Sequence, residues 1–271
     1  MKLWKMSGSG NDFVFFRLEG HEDRAVEARL RDPAFVKAVC APHTGVGADG
    51  IAIMQPSATQ DFKLVYFNRD GSLGELCGNA SLCATRLATE LAVANPTGLA
   101  FETEAGVIRA RLTGGSPEID LQPPTGLKPD AGIGRGSGEM RIGFINTGVP
   151  HLVVRTADTA RIDLQGRGPE LRFHESLTAG ANVNWIAPGN DGEWSMRTYE
   201  RGVEGETLAC GTGAVACAVM LRAWGESAEV TRIRTRSGRL VTVTLREIDG
   251  QTIPSLAGEG RIVFDGTLRE L

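Results

Sequence analysis

The feature that most constrains the fold of this chain is a pattern stated twice. Glu75-Leu76-Cys77-Gly78-Asn79-Ala80 returns as Leu208-Ala209-Cys210-Gly211-Thr212-Gly213. Upstream, Lys63-Leu64-Val65-Tyr66-Phe67-Asn68 is answered by Ser195-Met196-Arg197-Thr198-Tyr199-Glu200. Downstream, Thr103-Glu104-Ala105-Gly106-Val107-Ile108 is answered by Thr235-Arg236-Ser237-Gly238-Arg239-Leu240. The offsets are 132 residues for Asn68 and Glu200, 133 for Cys77 and Cys210, and 132 for Gly106 and Gly238, about half of a 271-residue chain. One offset at three landmarks reads as internal duplication. Two domains of ordinary size follow: 1–122, to which a final strand at 260–271 is free to return, and 123–259.

Composition excludes several classes of function. A formal net charge of -4 leaves no electrostatic footprint for nucleic acid, so a small molecule is the expected partner. No apolar run approaches the length of a membrane span. The first residues turn polar and glycine-rich where a signal peptide needs an apolar core. The expectation is a cytoplasmic protein, with its five cysteines reduced. Without CxxC units, those cysteines suit neither a zinc ribbon nor a disulfide framework, and no metal is expected. Lysine is confined to Lys2, Lys5, Lys37, Lys63 and Lys128, none in a recognisable cofactor context.

Alternating segments at 107–113, 140–145, 152–155, 182–186, 230–236 and 240–245 predict strands. Ala80, Cys83, Ala84, Leu87, Ala88 and Leu91 fall on one helical face, while Ala214 to Leu221 is apolar all round, the pattern of a helix buried on every side. The expected fold is therefore α/β of the α+β type. Each of two pseudosymmetric domains is a curled mixed sheet around a central helix, and the active site lies in the cleft between them. Residues 121–130, rich in proline, are the expected linker. Cys40, Cys83 and Cys217 read as packing residues.

Cys77 and Cys210 each fall at a helix start, where unpaired N–H groups and the helix dipole stabilise negative charge. A thiol so placed titrates closer to neutrality than the usual value of about 8.5. One thiolate and one thiol then make a base and an acid together. Inversion at an α-carbon needs no cofactor on this scheme, because one cysteine takes the proton from one face and the other returns a proton to the opposite face. The helix starts also suit the substrate carboxylate.

Further motifs bear a specific resemblance. Lys5-Met6 with Gly10-Asn11-Asp12-Phe13, Gly45-Val46-Gly47-Ala48-Asp49-Gly50, and Asn68-Arg69-Asp70-Gly71-Ser72 with Cys77-Gly78-Asn79 occupy the first half. Asn146-Thr147-Gly148-Val149-Pro150-His151, and Arg197-Thr198-Tyr199-Glu200-Arg201-Gly202 with Ala209-Cys210-Gly211-Thr212-Gly213, occupy the second. Together, in this order, they resemble the diaminopimelate epimerase family. The resemblance implies pyridoxal-independent interconversion of LL- and meso-diaminopimelate, in lysine and peptidoglycan-precursor synthesis, by a homodimer. It implies that Cys77 and Cys210 are the acid–base pair and that His151 and Glu200 are auxiliary residues near the α-carbon. Asn11, Asn68, Gly78, Asn79, Asn182, Glu200, Arg201, Gly211 and Thr212 are the implied substrate contacts. Val149 departs from the family pattern where many members carry a substrate-binding asparagine. Ala80, Ser81, Leu82, Ser7 and an additional Glu204 depart from it as well.

Each of these residues also has a plainer reading. Asn11 and Asn68 suit turns, Glu200-Arg201 suits an exposed ion pair, and His151 suits a satisfied core position. Three other functions compete: racemisation of proline, hydroxyproline or histidine on the same scaffold, amino-acid binding without catalysis, and thiol redox chemistry between Cys77 and Cys210. A polar distal pocket built from Asn11, Asn68 or Asn182 separates diaminopimelate from the smaller substrates.

Overall fold

A computed structural model describes residues 1–20, 24–74 and 76–271. Glu75, which opens the first copy of the repeated motif, lies outside the described residues. The chain divides into two compact units, Met1–Ile119 with Gly258–Leu271, and Asp120–Ala257. Both are mixed α/β.

The first unit opens with β1 (Lys2–Gly8) and β2 (Asn11–Arg17), then α1 (Arg24–Leu30) and α2 (Pro33–Cys40). There follow β3 (Gly50–Gln55), β4 (Phe62–Asn68), β5 (Leu73–Gly74), α3 (Gly78–Glu90), β6 (Leu99–Thr103), β7 (Gly106–Thr113) and β8 (Ser116–Asp120). The second unit holds β9 (Thr125–Lys128), β10 (Glu139–Asn146), β11 (Pro150–Thr156), α4 (Leu164–Arg172), β12 (Asn182–Pro188), β13 (Trp194–Glu200) and β14 (Gly205–Thr207). It closes with α5 (Gly211–Ala223), β15 (Val230–Arg234), β16 (Leu240–Ile248) and β17 (Gln251–Ala257), and β18 (Arg261–Thr267) pairs with β1 of the first unit.

The pairings repeat strand for strand. In the first unit β1 is antiparallel to β2, β2 parallel to β3, β3 antiparallel to β4, β4 parallel to β6, and β6 antiparallel to β7. In the second, β10 is antiparallel to β11, β11 parallel to β12, β12 antiparallel to β13, β13 parallel to β15, and β15 antiparallel to β16. The duplicated sequence thus yields a duplicated topology. In both units the sheet curls around a 13-residue helix, α3 or α5.

The opposite face of each sheet is covered as well. Val14, Phe16, Ile51, Ile53 and Val65 pack with Leu30, Phe35 and Val36 of α1 and α2. Leu152, Val154, Val183, Trp185 and Tyr199 pack with Leu164 and Leu171 of α4. Strands covered on both faces lose their polar side, which is why β11 and β12 are buried along nearly their whole length. A polar residue at an inner position of such a strand therefore requires a specific partner.

The expected linker at 121–130 is corrected by the structure: it carries β9, paired antiparallel to β10. Every residue of β9 is exposed and Gly126 has φ of 65°. A short edge strand of this kind shows no apolar alternation, so its sequence reads as loop.

Candidate active site

Cys77 and Cys210 occupy equivalent places. Each is the N-cap of its unit's central helix, at φ −126°, ψ 110° and φ −136°, ψ 107° respectively. The next backbone groups begin the helices alike: Ser81 N–H donates to Cys77 C=O at 2.9 Å and Ala214 N–H to Cys210 C=O at 3.0 Å. The N–H groups of the intervening residues, Gly78 to Ala80 and Gly211 to Gly213, have no acceptor within their own helix. Neither cysteine side chain caps its helix. Cys77 is half-buried, whereas Cys210 is buried, with its sulfur 3.6 Å from Thr212 Oγ1.

The other three cysteines are chemically different. Burial pushes the Cys40 thiol up to about 11 and raises the Cys83 and Cys217 thiols well above their ordinary value. All three stay protonated at neutral pH.

In the first unit three loops converge on the start of α3. Asn79 Nδ2 donates to Asn11 Oδ1 at 2.7 Å, and Asn11 Nδ2 donates to Asp49 Oδ2 at 2.9 Å. The Asp49 N–H donates to Asp12 Oδ1 at 3.1 Å, and Lys5 Nζ donates to both Asp12 and the Gly47 carbonyl. The Arg69 N–H donates to the Asp49 carbonyl at 3.0 Å, tying in the turn that holds Asn68. Asn68 Nδ2 donates to Ser72 Oγ at 3.0 Å, and the Ser72 hydrogen bonds hold the Asp70 carboxyl below its ordinary range. Asn79 is buried, and its Oδ1 has no partner among the described residues. Asn11, Asn68, Gly78, Asn79 and Cys77 are thereby gathered on one side of the unit. Lys5, Asp12 and Asp49 had no role assigned from sequence, although they stand inside the quoted motifs. Their signal was an unusual lysine and two aspartates among glycines.

The second unit gathers His151, Asn182, Glu200, Arg201 and the start of α5. The parallel register of β11 and β12 sets His151 opposite Asn182. Asn182 is spent on the backbone: its Oδ1 accepts from Arg201 N–H at 2.8 Å and its Nδ2 donates to the Pro150 carbonyl at 3.3 Å. It fixes the turn after β13, where Glu200 Oε2 accepts from Thr207 Oγ1 at 2.6 Å. The additional Glu204 adopts φ of 54°, accepts from the Gly202 N–H at 3.0 Å and pairs with Arg172 at 3.0 Å. Thr147 Oγ1 donates to the Thr212 carbonyl at 3.1 Å, anchoring the first turn of α5.

His151 is fully buried. Burial, with the Arg201 charge added, lowers its pKa to about 3, so the imidazole is neutral at physiological pH. Its Nδ1 lies 3.0 Å from Nδ2 of Asn184, and its Nε2 has no partner among the described residues. Sequence reasoning passed over Asn184. The signal was there, since Asn182 and Asn184 are two apart on a strand and share a face.

The diaminopimelate epimerase family model matches residues 3–122 and 143–262. The chain is 46% identical to the diaminopimelate epimerase of Gemmatimonas aurantiaca, with 100% of each chain covered. It is 42% identical to the diaminopimelate epimerase of Aquifex aeolicus, covering 100% of this chain and 98% of that one. Among solved structures, a PhzF-family phenazine biosynthesis protein of Bacillus anthracis matches with a TM-score of 0.75 at 14% identity, covering 100% of this chain and 99% of that one. A hydroxyproline epimerase of Agrobacterium vitis, bound to trans-4-hydroxy-L-proline, matches at 0.69 and 19% identity, covering 98% and 91%. These structural likenesses carry the fold alone.

Proposed function

The chain belongs to the diaminopimelate epimerase family, and from that premise we propose that it interconverts LL- and meso-diaminopimelate with Cys77 and Cys210 as base and acid. The observation that carries this reading is the matched pair of N-cap cysteines, one in each copy of the duplicated fold, with near-identical backbone angles. Inversion requires a base on one side of the α-carbon and an acid on the other. Each unit supplies one such thiol.

In the proposed reaction the thiolate takes the α-proton and the opposing thiol delivers its own proton to the other face. The products are the inverted carbon, one thiol and one thiolate, with the cysteine roles exchanged. Proton and charge balance without a cofactor. Helix-start N–H groups at Gly78, Gly211 and Thr212 stabilise the charge that builds on the substrate carboxylate as the proton leaves. Asn11, Asn68 and Asn79 supply amide groups for the remaining polar ends of the substrate, with Glu200 and Arg201 adding charged ones. Asn182 serves by fixing the backbone of Arg201. His151, neutral and buried, acts as an N–H donor rather than a proton carrier.

The reading extends to action in the cytoplasm, in lysine and peptidoglycan-precursor synthesis, where thiols stay reduced. Among the described residues no helix is long and apolar enough to cross a membrane. It extends also to a homodimer, supported by exposed Val263 and Phe264 on β18; light scattering at the size of one chain would remove this part.

The test is incubation of reduced protein with LL-diaminopimelate in D₂O without added cofactor. The expected result is α-deuterium incorporation together with the meso isomer. Folded, reduced protein that gives neither product, while turning over proline or hydroxyproline, would replace diaminopimelate with the smaller substrate.

A further inference from the structure

Asn184 is the only asparagine of β12 whose side chain reaches across to another side chain at the candidate site rather than to backbone alone. Its residue is completely buried. Its Nδ2 donates to the Leu152 carbonyl at 3.1 Å and faces His151 Nδ1 at 3.0 Å, while its Oδ1 accepts from Thr198 Oγ1 at 2.9 Å. The orientation of this amide is decided by chemistry. A backbone carbonyl can only accept, so the atom facing Leu152 must be the NH₂ group. The second hydrogen of that group points to His151 Nδ1, which must then present its lone pair. A neutral imidazole with a lone pair on Nδ1 carries its proton on Nε2.

The same amide abuts the helix that begins at Cys210. A Cβ built on Gly213 would lie 2.2 Å from Asn184 Oδ1 and 3.1 Å from Cys210 Sγ. Amide oxygen and sulfur therefore both border the space that a side chain at Gly213 would fill, and the glycine leaves room for both. The buried Nε2–H of His151, with no partner among the described residues, is the one group in this network with a donor to offer.

We propose that Asn184 is a positioning residue, which fixes His151 as the Nε2–H tautomer and holds it in register with the start of the helix that carries Cys210. The proposal rests on the epimerase reading for its effect on turnover, but not for the tautomer itself. An ionised aspartate in place of Asn184 has nearly the same shape and cannot donate. It would draw a proton onto Nδ1 and take the neutral donor away from the site.

The experiment uses ¹⁵N-histidine-labelled protein, wild type and Asn184→Asp, with long-range ¹H–¹⁵N spectra to assign the protonated ring nitrogen of His151. Wild type should show Nε2 protonated and Nδ1 unprotonated at neutral pH; Asn184→Asp should show Nδ1 protonated. With diaminopimelate the variant should lose about 10- to 100-fold in kcat, with KM changed less than about threefold. A Thr198→Val variant removes the hydroxyl behind the amide but keeps its NH₂ group, so it should retain the wild-type tautomer and serves if the aspartate variant does not fold. Protonation of Nδ1 in wild type overturns the proposal, as does an Asn184→Asp variant with wild-type tautomer and wild-type kcat. Absence of turnover in wild type, with the expected tautomer present, supports the Asn184 assignment and counts against the epimerase reading alone.

Discussion

At His151, burial and the Arg201 charge both oppose protonation, and the consequence appears in acid. An unfolded histidine takes up its proton near 6.5, whereas the folded one waits until about 3. The unfolded state is thus the first to gain a proton as pH falls. The stability this residue contributes is complete above about 6.5 and is lost progressively toward about 3, at up to about 1.4 kcal/mol per pH unit. His151→Gln removes this dependence, so urea unfolding of wild type and variant should converge by about 2 to 3 kcal/mol between pH 6.5 and 4.5. Parallel stability curves would show that the histidine is not buried neutral. The cysteines carry the second prediction at this scale. Alanine at position 77 or at 210 should lower epimerisation by at least about 100-fold with the circular dichroism spectrum unchanged, and near-normal turnover in either variant would sink the two-base mechanism. The same substitution at Cys83 or Cys217 removes only a packing sulfur, and its cost belongs to stability.

The two central helices are placed by glycines that admit no side chain. Gly8, at the end of β1, would put a Cβ 2.7 Å from the Asn79 carbonyl oxygen, and Gly213 would put one against Asn184. Neither obstacle can swing aside: the first is backbone, and the second is a short side chain held by hydrogen bonds on both ends. Gly8→Ala and Gly213→Ala should each cost about 1 to 3 kcal/mol in stability and lower turnover by moving a helix start. Gly98→Ala, which meets nothing within 4 Å, is the matched control in differential scanning calorimetry. If all three behave alike, the close approach is not what fixes the helices. Legibility at this scale followed burial. Strands such as β7 and β16 alternate and were readable, as were α3 and α5 from their apolar faces. The helix α4 was not, because Gly166, Gly168 and Pro169 are poor helix formers and only the Asp163 cap, bonded to Gly166 N–H at 3.0 Å, marks its start. The candidate residues were legible as motif members. Partners such as Asn184 and Asp49 were passed over, although Asn184 shares a strand face with Asn182 and Asp49 stands inside a quoted motif, because neither residue by itself names the distant group it meets.

For the whole molecule, duplication means two cores of the same plan. Each has a helix with most of its residues buried, enclosed by a sheet whose far face is itself covered. Hydrogen exchange should therefore show two separate sets of slowest amides, one in α3 and one in α5, with the exposed edge strand β9 exchanging far sooner. A single protected set confined to one unit would mean that the copies differ in stability despite their shared topology. More than half of helix α5 is glycine, alanine, cysteine or threonine, and neighbours approach it closely at two places, Asn184 at Gly213 and Gly143 at Met220. The first turn of α5, which follows Cys210, is consequently gauged at Gly213 by a hydrogen-bonded amide, so a single methyl added there works as a shim beside the Cys210 sulfur.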